Sequence, residues 1–303
     1  MAVEGSAVGM IGLGIMGSAM SRNLMAAGFR VVGFDVSEPA LQAFRDMGGE
    51  PAASAEDVGT RAEIIITCLP SVAALDAVVS ELARTQPADR VLAETSTFPV
   101  EDKLRARDAL AQAGIVVLDC PLSGSGAQAR ERDVLVYGSG NRAAYERALP
   151  VFQGFSRAPH YLGEFGAGSK TKFVANLLVA IHTAAAGEAF ALVRKAGLDP
   201  AKTFEVVADG AGGSRAMQVR GAMLVADTYL PVATMPLNLW RKDMRVIADF
   251  ANSLACPTPL FSAVVPLYNA AIASGLGDQD TAAVCAVIEN MAGLKRPEPG
   301  GSA

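Results

Sequence analysis

The feature that most constrains this chain is an apolar run, Ala7–Ile11, that passes directly into Gly12-Leu-Gly14-Ile-Met-Gly17 and then into a helical pattern. Few folds place glycines at this spacing between a strand and a helix. The first glycine permits a tight turn, the second lets main chain approach a pyrophosphate, and the third lets the helix pack on the strand. The helix N-terminus adds unpaired N–H groups and a partial positive charge. Glycine makes up 30 of the 303 residues, so the spacing alone carries little. The next apolar run, however, ends in Phe34-Asp35, 18 residues beyond Gly17. A dinucleotide fold carries its ribose-binding acid there. The expected cofactor contacts are Gly12, Leu13, Gly14, Ile15, Met16 and Gly17, with Asp35. A carboxylate at Asp35 accepts ribose hydroxyls but repels a 2′-phosphate. The nearest following basic residue, Arg45, lies deep in the next helical stretch. NAD is therefore expected over NADP.

The alternation continues. Arg30–Asp35, Glu63–Cys68, Arg90–Glu94 and Ile115–Asp119 read as buried strands. Between them Met16–Ala27, Glu38–Met47, Val72–Leu82 and Val100–Ala113 read as helices, with Ser37 and Ser71 as N-caps. Val134–Tyr137 and Ala158–Leu162 are expected as further strands, with a helix after Asn141. Alternation at this spacing predicts a parallel sheet covered on both faces. After Gly163 the strand patterns stop. Helices are expected over about Gly168–Ala196, Pro200–Ala208, Ser214–Val225, Leu237–Ser253, Thr258–Ser274 and Asp280–Ala292. The expectation is a doubly wound α/β domain over residues 1–163, an all-helical domain over 164–296, and a disordered tail at 297–303.

Composition narrows the partners. Hydrophobic residues make up 51% of the chain and charged ones 19%, enough apolar material for large cores. With 26 basic against 31 acidic residues and no basic run, a nucleic-acid surface is not expected. Four scattered cysteines without a CxxC pair, and only two histidines, exclude a disulfide scaffold and a zinc site, so no metal is expected. The start, Met1-Ala-Val-Glu, has no basic n-region. His182 and Glu188 interrupt the apolar stretch Phe173–Leu192, which reads as a helix buried in protein. A cytoplasmic protein is expected, with no membrane partner.

Further segments follow in order: Cys68-Leu-Pro-Ser71, Glu94-Thr-Ser-Thr97, Asp119-Cys-Pro-Leu-Ser-Gly-Ser125, Gly166-Ala-Gly-Ser-Lys-Thr-Lys172-Phe-Val-Ala-Asn176 and Lys242-Asp243. With the glycine loop, these make the chain resemble the β-hydroxyacid dehydrogenases, typified by 3-hydroxyisobutyrate dehydrogenase, over essentially its whole length. The resemblance implies a Rossmann domain joined by one long helix to an all-helical domain, and a homodimer or homotetramer paired through the helical part. It implies hydride transfer between NAD and a small 3-hydroxy acid.

The resemblance also implies roles. Lys172 matches the family's catalytic acid/base lysine; by itself it reads as a solvated lysine at a helix start. His182 lies about 80° off the face of Lys172, and Lys170 about 160° round the helix. Asn176, four residues on, shares the face of Lys172 and would orient the substrate. Ser123, Gly124 and Ser125 match the loop that holds the substrate carboxylate. Leu69, Pro70 and Thr97 match loops against the ribose and nicotinamide, and Lys242 matches a lysine that reaches the cofactor or substrate. Cys68 and Cys120 read as packing residues. The chain departs from the family at Ser125, where a glycine is usual, at Arg132-Asp133, where a small pair is usual, and at Ala175. These changes bear on the pocket, and a polyhydroxylated acid such as threonate fits as well as 3-hydroxyisobutyrate. Two other readings stay open: an NADPH-dependent reductase of small aldehyde acids of the glyoxylate or succinic semialdehyde type, and a non-catalytic NAD(H)-binding protein.

Overall fold

The structure, a computed structural model, describes residues 7–85, 89–230 and 235–294. The expected tail at 297–303 lies outside the described residues. Six strands form the first sheet: β1 (Ala7–Ile11), β2 (Arg30–Phe34), β3 (Glu50–Pro51), β4 (Ala62–Thr67), β5 (Arg90–Glu94) and β6 (Ile115–Asp119). All pair in parallel, in the order β3-β2-β1-β4-β5-β6. The connections are α1 (Ile15–Ala26), α2 (Glu38–Asp46), α3 (Ala55–Arg61), α4 (Val72–Leu82) and α5 (Val100–Ala111). Alternate strand residues face two separate cores, as burial on both faces requires. Val8 and Met10 join Met20, Leu24 and Phe152 on one side. Ile11, Ile65 and Leu92 join Leu75, Leu82 and Leu110 on the other. This is the doubly wound Rossmann-type sheet. Its order reverses between β1 and β4, the point at which such sheets bind ligands. Ile11 pairs with both Phe34 and Thr67, so Gly12, Asp35 and Cys68 emerge side by side at one edge.

Beyond β6 the chain departs from simple alternation. After Pro121 come β7 (Leu122–Ser123), α6 (Gly126–Arg130), β8 (Leu135–Gly138), α7 (Arg142–Phe155) and β9 (Ala158–Tyr161). The last strands do not extend the first sheet. They form a second sheet in the order β7-β8-β9, with β7 and β8 antiparallel. The cause is the reversal at Pro121, which brings Ser139 opposite Asp119 in an isolated antiparallel bridge. The two residues exchange main-chain hydrogen bonds of 3.0 and 2.8 Å.

A 29-residue helix, α8 (Ala167–Lys195), follows. The chain forms two compact units, one ending at Lys172 and the other beginning at Phe173, inside this helix. The second unit continues α8 and adds α9 (Pro200–Asp209), α10 (Arg215–Ala226), α11 (Leu237–Ser253), α12 (Pro259–Ala271) and α13 (Val284–Met291). Described residues in it form no strand, only helices, 3₁₀ and π turns, and one isolated bridge, Pro236 to Asp280. The expected helix Thr258–Ser274 is shorter, because its end opens into a π turn, Ile272–Leu276, around Gly275 at φ 82°. Likewise α13 begins as a 3₁₀ turn, Thr281–Ala283, capped by the Asp280 side chain. Ser71 caps α4 as expected, whereas the Ser37 hydroxyl makes no cap bond on α2. Its N–H instead donates to Asp35 Oδ1 at 2.8 Å.

Candidate active site

The glycine loop is built as its spacing requires. Gly12 has φ +94°, and a Cβ there would meet the Cys68 carbonyl. A Cβ on Gly17 would strike the Gly12 carbonyl, so helix and strand close together only with glycine at this position. Gly14 differs: nothing lies within 4 Å of where its Cβ would be, and it is exposed. As N-cap of α1 it offers no side-chain cap, and the first-turn N–H groups of a helix lack partners within it. An open space over uncapped helix N–H groups fits a pyrophosphate. Met16 and Leu13 pack into the adjacent core, while Ile15 stays exposed at the loop's outer side.

Asp35, at the end of β2, is tied back to this loop. Its Oδ2 accepts the Leu13 N–H at 2.7 Å. With Oδ1 on the Ser37 N–H, the carboxylate is aimed beside the glycine turn while keeping lone pairs for ribose hydroxyls. Leu69 and Pro70 follow β4, and Thr97 follows β5, so both loops open from the same edge of the sheet. The Leu69 N–H donates to Ser96 Oγ at 2.8 Å, and the Ser96 N–H to Glu94 Oε1 at 2.9 Å.

The loop after β6 carries Ser123 and Gly124, both half-buried, and Ser125. Ser125 is the N-cap of α6, in a reciprocal capping box with Gln128. Its N–H donates to Gln128 Oε1 at 3.0 Å and its Oγ accepts the Gln128 N–H at 3.4 Å. Gln128 also donates to Asp133, which pairs with Arg157 at 2.8 Å. The departures at Ser125 and Asp133 thus form one brace behind Ser123 and Gly124. The Ser-x-x-Gln spacing is a capping-box signature, readable in the sequence and not used there.

Asp119, which ends β6, lies in a buried ionic cluster that sequence reasoning missed. Lys103 Nζ sits 2.7 Å from Glu94 Oε2 and 2.8 Å from Asp119 Oδ1, with all three side chains at most 1% exposed. Burial alone would lower the Lys103 pKa, but the two carboxylates outweigh it and hold the ammonium above the ordinary lysine range. Asp119 also accepts the Ser169 Oγ and N–H, each at 2.7 Å, in the first turn of α8. Gly168 makes this approach possible, since a Cβ there would meet the Tyr137 and Asp119 carbonyls. Three residues after Ser169, Lys172 is half-buried, whereas Lys170 is exposed. Cys120 is fully buried, and burial and then Asp119 push its thiol well up, as suits a packing residue.

In the second unit Asn176 is buried, and its Nδ2 donates to Asp243 Oδ2 at 3.0 Å. Asp243 is itself buried, and Lys242 Nζ lies 3.6 Å from its Oδ1 with its own side chain 42% exposed. Asp243 fixes the Asn176 amide, so that its carbonyl oxygen points away from the carboxylate. Only the Lys242-Asp243 pairing hinted at this residue. Among the described residues no group of three or more His, Cys, Asp or Glu could hold a metal ion.

Comparison with known proteins agrees with this geometry. Residues 7–163 match the NAD binding domain of 6-phosphogluconate dehydrogenase. Residues 166–288 match the family described as NAD-binding of NADP-dependent 3-hydroxyisobutyrate dehydrogenase. The L-threonate dehydrogenase of Cupriavidus necator is 32% identical, across 94% of this chain and 96% of that one. The chain belongs to the β-hydroxyacid dehydrogenase family. The glyoxylate/succinic semialdehyde reductase 2 of Arabidopsis thaliana is 28% identical across 93% of this chain and 79% of that one. The crystal structure of a 3-hydroxyisobutyrate dehydrogenase from Salmonella typhimurium, 28% identical, superimposes with a TM-score of 0.84 over 93% of this chain and 99% of that one. As a β-hydroxyacid dehydrogenase the chain is an oxidoreductase that binds a nicotinamide dinucleotide.

The geometry of Asp35 predicts the cofactor preference. Wild-type enzyme should bind NADH more tightly than NADPH by calorimetry. Asp35→Ala should weaken NADH about 10- to 100-fold, the worth of charge-assisted hydrogen bonds, and narrow the preference. Equal affinities in the wild type would contradict this reading.

Proposed function

We propose that the enzyme transfers hydride between NAD and a small 3-hydroxy carboxylic acid, with Lys172 as the general acid/base. A polyhydroxylated acid of the threonate type is the first candidate. The observation that supports this is Lys172, the residue that resembles the family's catalytic lysine, half-buried at the first turns of α8 on a helix start held by Asp119. The glycine loop, Asp35, Leu69, Pro70 and Thr97 would hold the dinucleotide, and Lys242 is assigned to the cofactor by its resemblance to the family's lysine at that position. When bound, the nicotinamide supplies the hydride acceptor. Ser123 Oγ and the Gly124 N–H would hold the substrate carboxylate, and the Ser125–Gln128 brace keeps that loop in shape. Asn176, its amide fixed by Asp243, would orient the substrate hydroxyl. Neutral Lys172 Nζ takes the hydroxyl proton as the carbinol C–H bond breaks toward the cofactor, leaving a carbonyl and an ammonium. In the reverse direction the ammonium returns the proton to the carbonyl oxygen.

Threonate is favoured because the 32%-identical relative that matches nearly end to end is named for it. A second reading, reduction of small aldehyde acids, is favoured by the Arabidopsis relative, and it uses the same residues in the opposite direction. A non-catalytic NAD(H)-binding role would leave Lys172 and Asn176 without use. None of the four cysteines forms a disulfide, which supports a reducing compartment and a cytoplasmic enzyme. A panel of hydroxy acids with NAD and NADP, followed at about 340 nm by the absorbance of the reduced nicotinamide, should give turnover on threonate or a close 3-hydroxy acid with NAD. Turnover confined to aldehyde acids with NADPH would select the second reading, and none with any cofactor would select the non-catalytic one.

We also propose a homo-oligomer paired through the helical unit. Among the described residues, ten of the twelve large exposed apolar side chains lie in that unit. Residues Pro259–Leu276 are apolar enough to span a membrane by composition, yet only 17% of this stretch is buried, against 50% for the matching window of α8. An apolar surface of this kind calls for a partner, and a second copy is the one the family fold provides. Light scattering at micromolar concentration should give a dimer or tetramer mass; a monomer would contradict the pairing.

A further inference from the structure

The Lys103 cluster has two arms, each ending on a loop of the site. On one side Glu94 Oε1 accepts the Ser96 N–H, and Ser96 Oγ accepts the Leu69 N–H. That arm ends on the loop assigned to the nicotinamide side of the cofactor. On the other side Asp119 accepts both donors of Ser169, and Ser139 Oγ lies 3.2 Å from its Oδ2. That arm ends on the helix turn before Lys172. The main chain of Asp119 also runs on into Cys120 and Pro121 toward Ser123 and Gly124.

We propose that Lys103 is a positioning residue that holds the cofactor loop, the carboxylate loop and the catalytic lysine in one frame. Packing strength alone does not account for it. A buried ion pair adds little stability over well-packed apolar side chains, because desolvation offsets the attraction. What the charge adds is direction. One ammonium between two carboxylates fixes which oxygen of each faces it: Glu94 keeps Oε1 for the Ser96 N–H, while Asp119 offers Oδ1 to both Lys103 and Ser169 Oγ and keeps Oδ2 for the Ser169 N–H. Both arms lie at the carboxyl ends of the strands, where the chemistry takes place. The inference rests on Lys172 being the acid/base group.

The two serines test the arms separately without touching the charges. Ser169→Ala should leave NADH affinity, read by fluorescence titration, close to wild type while kcat falls on the order of tenfold, since misplacement by about 1 Å can cost about a hundredfold. Ser96→Ala should do the opposite, raising the Kd for NADH by roughly tenfold with a smaller change in kcat at saturating cofactor. Lys103→Met should show both defects where it folds; where it does not, the serine variants decide. A cluster with only a structural role would lower the Tm of both serine variants and leave Kd and kcat unchanged. That result overturns the inference. Lys172→Ala in the same assay separates the two readings. If it is inactive while Ser169→Ala turns over normally, the frame is wrong and the lysine mechanism stands. If it is active, both fall.

Discussion

The Lys103 ammonium, buried between Glu94 and Asp119, is the interaction on which the rest of this enzyme depends. One positive and two negative charges lie beyond reach of solvent, and water no longer stabilises them. The deficit is met by donors: the Ser96 N–H on Glu94, and Ser169 N–H, Ser169 Oγ and Ser139 Oγ on Asp119. Removing one member of such a cluster strands a buried charge, at a cost of about 3–5 kcal/mol. The ends of β5 and β6 and the start of α8 are thereby fixed to each other. Glycine at position 168 is part of the same solution, because any side chain there would hold α8 away from the carbonyls of Asp119 and Tyr137.

The site divides its work by chemistry. The proposed cofactor cradle combines main chain, in an uncapped helix start with open space above Gly14, with one side-chain carboxylate anchored by the Leu13 N–H. The residues proposed for substrate and proton transfer are each set by a neighbour. Asn176 is oriented by Asp243, the Ser123–Gly124 loop is braced by Ser125 and Gln128, and Lys172 follows a turn clamped by Asp119. A lysine on a free helix start would sample many rotamers. Here the turn that carries it is tied to a buried network.

The cofactor half was legible in the sequence because its signals are local. Glycine spacing, the acid at the end of β2 and apolar runs bounded by turns all lie within a few residues of one another. What stayed hidden depends on tertiary pairing. Lys103 lies among Glu101, Asp102, Arg105 and Arg107 and reads as one more solvated charge, since its partners come from two strands. Glu50–Pro51 and Leu122–Ser123 are too short for periodicity to register, and each exists as a strand only through its neighbour. The second sheet follows from a reversal at Pro121 that no alternation pattern encodes. Ser125 is legible as an unusual residue in its loop, but its hydroxyl is engaged in a helix cap, so what it sets is the shape of the loop.

The central claim is that Lys172 moves the proton, and one comparison tests it most directly. Lys172→Ala and Lys170→Ala are assayed side by side for NADH binding and for turnover on the best hydroxy acid. Positioned acid/base catalysis is worth about 10²–10⁴-fold, so Lys172→Ala should bind NADH normally and lose at least that factor in kcat. Lys170→Ala, on the exposed face, should behave as wild type. Wild-type turnover by Lys172→Ala, with NADH bound, would contradict the account.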